Sequence, residues 1–259
     1  MPGTEERLGS TFSGSLGTPA HEKSVYDVNS ASILFALWLA AAPSGPPPGE
    51  YYSGDGLGMN WTFKVTDAGR FEFAWHGCLG LYDSNEGKLA VDGRWVTLAP
   101  EKPRDNGFAR QLPLRWLYLR WGQRHYLIAD DELSDFVRDV NDQSEPRSDA
   151  HGMHLLRDGD WKRRASGAPE LPGEWASLLR PRPVSARVVA IEEGGIATLD
   201  RGTDAGMAVG LPLTVIAPGN KDPRLGSGLV IDATPSSARM RVTLGDKPRV
   251  GDLASTKAY

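Results

Sequence analysis

Between residues 49 and 128 hydrophobic and polar positions alternate with a period of two, the mark of strands that bury one face. Trp61, Phe63 and Val65 alternate with Thr62 and Lys64; the chain turns at Asp67-Ala68-Gly69; Phe71, Phe73 and Trp75 then alternate with Glu72, Ala74 and His76. This predicts a hairpin with one aromatic face. A second hairpin is predicted over residues 88–91 and 94–98 about Asp92-Gly93, and a third over 114–121 and 124–128 about Gly122-Gln123. In the third, Trp116, Tyr118 and Trp121 cannot all share a face, which leaves some of them exposed.

The period changes once. Leu133, Phe136, Val137 and Val140 repeat at i, i+3, i+4 and i+7, with acids from Asp130 onward in the first turn and Pro146 beyond the end. One short amphipathic helix is predicted there, over about residues 131–142. Residues 166–183, with prolines at 169, 172, 181 and 183, read as a semi-rigid linker or strap. The domain boundary falls there, between an aromatic-rich β domain at 49–165 and a small domain at 184–259. Strands of the latter are predicted near 184–192, 196–200, 213–217, 228–233 and 238–242, with a closing segment around 250–255. Gly202, Gly206 and Gly210 serve positive φ or a close pass by a neighbouring strand. The fold class that results is mainly β: two small β-barrel or sandwich-like domains with one short helix.

Residues 1–31, rich in Gly, Ser and Thr, carry no hydrophobic period and read as a disordered leader. Residues 32–42 form an apolar run of signal-peptide length, ended by small residues and followed by a Pro-rich stretch at 43–49. The run is too short to span a bilayer comfortably. Its distance from Met1, and the offset of Lys23 by Glu22 and Asp27, count against an export signal; the competing reading is a short buried or interfacial helix. As a signal, it implies a periplasmic or secreted chain with no transmembrane span after cleavage.

Composition narrows the chemistry. At 259 residues the chain is long enough for two cores, and 30 glycines and 19 prolines suit short strands joined by turns. A net charge of −4 gives no basic footprint for nucleic acid. The single cysteine, Cys78, excludes an internal disulfide framework and any multi-cysteine metal site. Gly54-Asp55-Gly56-Leu57-Gly58 lacks the spacing and the following helix of a dinucleotide site and reads as a glycine-rich loop. His76 and Cys78 would share one face of an extended strand, with Asp55 as a distant orienter, so a Cys-His nucleophile is conceivable; the competing reading of Cys78 is a small buried hydrophobe. His151 and His154, with His125 and Asp130 or Asp131, offer metal-ligand types without helical spacing, and exposed loop histidines are the default. Asn60-Trp61-Thr62 matches a glycosylation acceptor inside an expected strand. The aromatics either fill a barrel interior or line a ligand cavity; on the second reading Tyr52, Asp55, Asn60, Trp75 and Tyr82 are the candidate ligand-binding residues. No metal and no cofactor is expected, and no catalytic signature is present.

The run Gly69 to Phe73, with Gly87-Lys88-Leu89-Ala90-Val91-Asp92-Gly93-Arg94-Trp95-Val96-Thr97-Leu98, resembles lipocalin-like modules of bacterial envelope proteins over roughly 50 residues. In the last third, Leu199-Asp200-Arg201-Gly202, Asp204-Ala205-Gly206, Gly210, Gly226-Ser227-Gly228, Ser236-Ser237-Ala238 and Gly251-Asp252 resemble, over about 70 residues, the C-terminal barrel of flagellar assembly protein T. The same stretch is similar to the β-domains of MreC. The resemblance implies a docking or assembly barrel of the envelope with a protein partner; a flagellar or cell-shape role is not carried over. The expectation is therefore a non-enzymatic exported envelope protein. The alternatives are a binder of a small apolar or glycan-like ligand, and an enzyme using His76 and Cys78.

Overall fold

The computed structural model describes residues 45–102, 112–144, 146, 154–219 and 224–257, so the leader, the apolar run at 32–42 and His151 lie outside the described residues. Eight antiparallel strands, each paired with the next, make the first barrel: β1 (Gly49–Gly54), β2 (Asn60–Val65), β3 (Arg70–Gly77), β4 (Gly80–Asp92), β5 (Trp95–Pro100), β6 (Arg115–Trp121), β7 (Arg124–Ala129) and β8 (His154–Arg157). Pairing of Tyr51 with Arg157 and of Tyr52 with Leu156 closes it. Because side chains alternate across the wall, Tyr51, Trp61, Phe63, Phe71, Phe73, Trp75, Trp116 and Tyr118 turn inward and are buried. Phe63 stacks on Phe71 at 5.4 Å and leans on Trp116 at 5.6 Å. The aromatic alternation is thus mostly core.

One sector of the wall is buried on both sides. Leu117, Leu119, Trp121, Tyr126, Ile128 and Leu156 point outward from β6, β7 and β8 and are covered in turn. The cover is α1 (Leu133–Asn141), whose Leu133, Phe136 and Val137 are fully buried. Phe136 meets Trp121, Tyr126 and His154 edge-on at 6.2, 5.6 and 5.5 Å. Trp116, Tyr118 and Trp121 are consequently all buried, at 0, 7 and 8% exposure, contrary to the expectation from face alternation, because this sheet sector has no solvent face. His154 also departs from the exposed-loop expectation. It opens β8, a strand too short to announce itself by periodicity, and lies under α1.

Residues 166–183 run across the same surface and include α2 (Gly173–Ala176). Trp121 Nε1 donates to the Gly167 carbonyl (2.7 Å), while Leu171 and Leu178 are buried. The Asn141 amide donates to the Leu178 carbonyl (3.0 Å) and accepts from the Arg180 amide (2.7 Å). The second barrel follows: β9 (Ser185–Glu192), β10 (Ile196–Leu199), β11 (Pro212–Ile216), β12 (Arg224–Ala233), β13 (Ala238–Gly245) and β14 (Leu253–Ser255), closed in the order β10-β13-β12-β11-β14-β9. Its interior, including Val188, Leu199, Leu213, Val215 and Met240, belongs to the same cluster of buried residues as α1 and the outer face of β6–β8. At Gly202 a Cβ would run into the Thr234 carbonyl, while Gly206 and Gly210 have φ of +88° and +85°.

Candidate functional site

The two ends of the first barrel differ in kind. At one end the β1–β2 loop meets the β3–β4 turn, where Cys78 Sγ donates to the Leu57 carbonyl (3.5 Å). The loop is held by its own side chains. Asp55 Oδ1 accepts from the amides of Leu57 (2.8 Å) and Gly58 (2.6 Å), and Asn60 Oδ1 accepts from the Gly56 amide (2.8 Å) and the Tyr52 hydroxyl. Gly77 lies directly beneath the Tyr82 ring, leaving no room for a Cβ. Tyr82 in turn meets Trp75 edge-on at 5.5 Å. On this braced frame Leu57 and Leu79 are 84 and 91% exposed, with Met59 and Leu81 also exposed. An apolar rim of this kind is what binding surfaces present.

The expected ligand-binding residues are gathered at this end but do not face a common cavity. Trp75 points into the barrel, whereas Tyr52 and Asn60 are one position out of phase with inward-facing Tyr51 and Trp61 and stand on the outer side of the wall. Asp55 braces the loop. His76 and Cys78 are both exposed on the rim, and among the described residues no hydrogen bond joins their side chains. The burial expected of a lone cysteine is not found, because β3 ends at Gly77 and carries Cys78 beyond the barrel interior. The metal-ligand candidates are likewise dispersed. His154 Nε2 faces the Glu132 carbonyl (3.2 Å), His125 Nδ1 pairs with Asp160 (2.7 Å) and Asp130 pairs with Arg115 (3.1 Å). Among the described residues no group of three His, Cys, Asp or Glu side chains is placed to hold a metal ion.

At the opposite end lies a cleft of about 690 Å³, lined by Pro47, the β4–β5 turn at Gly93 and Arg94, the β6–β7 sector and residues 166–170. Strand alternation brings Tyr118, Arg120, His125 and Arg157 to it from β6, β7 and β8. Arg157 Nη2 donates to the Pro48 carbonyl (2.8 Å) and Arg120 Nε to the Gly122 carbonyl (3.1 Å). Arg94 is paired with Glu170 (2.5 Å). Tyr118 stacks on His125 with ring centres 6.3 Å apart, and buried Asp160 accepts from both the His125 amide (2.8 Å) and Nδ1 (2.7 Å), fixing the ring. Burial pushes the Tyr118 hydroxyl above its ordinary range, while the charges of Arg120, Arg157 and Arg94 pull it back. Arg120 and His125 pair across the Gly122-Gln123 turn, but no spacing rule in the sequence joins them to Arg94 or Arg157; strand pairing does.

No helix among the described residues is long and apolar enough to cross a membrane. No protein-family model and no curated protein matches the chain. Among solved structures it is similar to the Cpx pathway activator NlpE from Escherichia coli, with 9% identity over 77% of this chain and 93% of that one, at a TM-score of 0.23.

Proposed function

We propose that this chain is a non-enzymatic docking or assembly module of the cell envelope, which engages a protein partner through the apolar rim at the Leu57–Leu79 end of the first barrel. The observation that carries this reading is the exposure of Leu57 and Leu79 on loops that side-chain hydrogen bonds hold in place. Leu57, Met59 and Leu79 on two contacting loops, with Leu81 at the start of β4, cost solvation without adding to either core, and such patches on soluble surfaces mark interaction sites. The export-like run at 32–42 and the resemblance of the last third to assembly barrels support the envelope setting.

Cys78 supplies the test, being the chain's single cysteine and exposed on the rim. A photo-crosslinker attached there and activated in the host envelope fraction is expected to yield one discrete protein adduct. Leu57→Asp with Leu79→Asp should abolish it without changing labelling of the thiol. An adduct that survives both substitutions, or none at all, overturns the docking role.

A further inference from the structure

The cleft at the other end of the barrel is a second site, chemically unlike the rim. Its charge is unbalanced: three guanidiniums, of Arg94, Arg120 and Arg157, line it against the single carboxylate of Glu170, which Arg94 already holds. Elsewhere Arg70, Arg115, Arg138 and Arg239 each sit within ion-pair distance of a carboxylate. Among the described residues Arg120 and Arg157 have no such partner, and each gives one N–H to a backbone carbonyl, which orients the guanidinium without neutralising it. An arginine oriented by a carbonyl keeps its remaining N–H groups for an oxyanion such as a phosphate. The wall opposite is held in place by the Trp121 bond to Gly167 and by Glu170, so the cleft does not depend on a mobile edge.

We propose that this cleft binds a small organic phosphate monoester, with Arg120 and Arg157 on the phosphate and the Tyr118–His125 stack beside the organic group. The surplus of two positive charges matches a phosphate monoester, which is mostly a dianion near pH 7. The volume is that of an ordinary small-molecule site, and the Tyr118 face and Pro47 offer the apolar contact that such sites combine with a few charged groups. Asp160 keeps the imidazole of His125 from turning, so the cleft wall is preorganised for the ligand.

Calorimetric titration of the full chain with phenyl phosphate tests this directly, with benzoate as the singly charged comparator of similar shape. One saturable site per chain is expected, with benzoate at least tenfold weaker. Arg120→Gln and Arg157→Gln should each weaken phenyl phosphate at least tenfold, and Arg115→Gln, whose partner is Asp130 away from the cleft, should leave it unchanged. Arg120 is exposed, so Arg120→Gln is expected to melt like the parent chain and to read binding alone. Absence of saturable binding, equal affinity for benzoate, or undiminished binding by Arg120→Gln overturns the proposal. None of these outcomes bears on the crosslink from Cys78.

Discussion

The two ends of the first barrel are built from the same alternating strands yet present opposite surfaces. At the Leu57–Leu79 end hydrogen-bonded loops lift leucines out of the core into solvent. At the other end turns and strand ends deliver arginines around a cleft roofed by residues 166–170. The difference lies in what adjoins each end. The cleft end abuts the sector sealed by α1 and the 166–183 segment, so its charges stand in a partly walled space. Among the described residues the rim is braced by the β1–β2 loop and the β3–β4 turn alone. A barrel supplies the frame, and its neighbours decide which mouth becomes a cavity and which a contact surface.

That contrast is broken most severely through the seal. Phe136→Ala removes a fully buried ring wedged among Trp121, Tyr126 and His154, and is expected to cost about 3–5 kcal/mol in urea unfolding. A loss below about 1 kcal/mol would mean that α1 is not what joins the barrels.

The next effect is pH-dependent and sits under the same helix. Burial pushes the His154 imidazole pKa down, so its contribution is present above the ordinary histidine value and is lost as pH falls below about 6.5 toward the folded value. Burial, with Asp135 and Asp131 nearby, pushes Glu132 up to about 7; its contribution is present below the ordinary glutamate range and is lost as pH rises through 7. The two oppose each other, so the parent chain should show a shallow profile. His154→Gln should unmask the Glu132 trend, so that stability rises as pH falls from 7 toward 5, and Glu132→Gln should raise stability at pH 8 relative to the parent. Unfolding free energies between pH 5 and 8 check both, and a Glu132→Gln profile that loses stability at pH 8 would reverse the assignment.

Smaller effects sharpen the rim. Leu57→Ser and Leu79→Ser, separately, should alter unfolding free energy by less than about 0.5 kcal/mol, because neither side chain contributes to a core. A larger loss would make the rim structural. Trp61→Phe deletes a buried indole N–H that has no hydrogen-bond partner among the described residues, and is expected to cost less than about 1 kcal/mol in the same measurement.

Strand positions were legible because period-two alternation and Gly-containing turns are local: Trp61 to Trp75, the Gly122-Gln123 turn, and the five short strands and closing segment of the last third could all be read. The turn expected at Asp92-Gly93 falls one residue on, at Gly93-Arg94, because Asp92 pairs with Trp95. The helix was equally plain from Leu133, Phe136, Val137 and Val140. What alternation could not reveal was a sheet sector covered on both faces, where Leu119 is as buried as Trp116 and Trp121 nearly so. Nor could it reveal β8, whose four residues close the barrel. Residues at the two sites were legible only in part. Tyr52, Asp55, Asn60, Trp75 and Tyr82 cluster at one end because their loops adjoin, but alternation divides them across the wall. The cleft as a site escaped because Arg94 and Arg157 are far in sequence from the Arg120–His125 hairpin pair, and each looks like an ordinary surface charge until register places them together.

On the reading proposed above, the two ends have separate occupants, a protein at the rim and a small molecule in the cleft. Photo-crosslinking from each end in the same envelope preparation tests it most directly, using native Cys78 for the rim and Ala168→Cys in a Cys78→Ser background for the cleft. A protein adduct from position 78 and none from position 168 is the predicted result. A protein adduct from position 168, or none from 78, would contradict it.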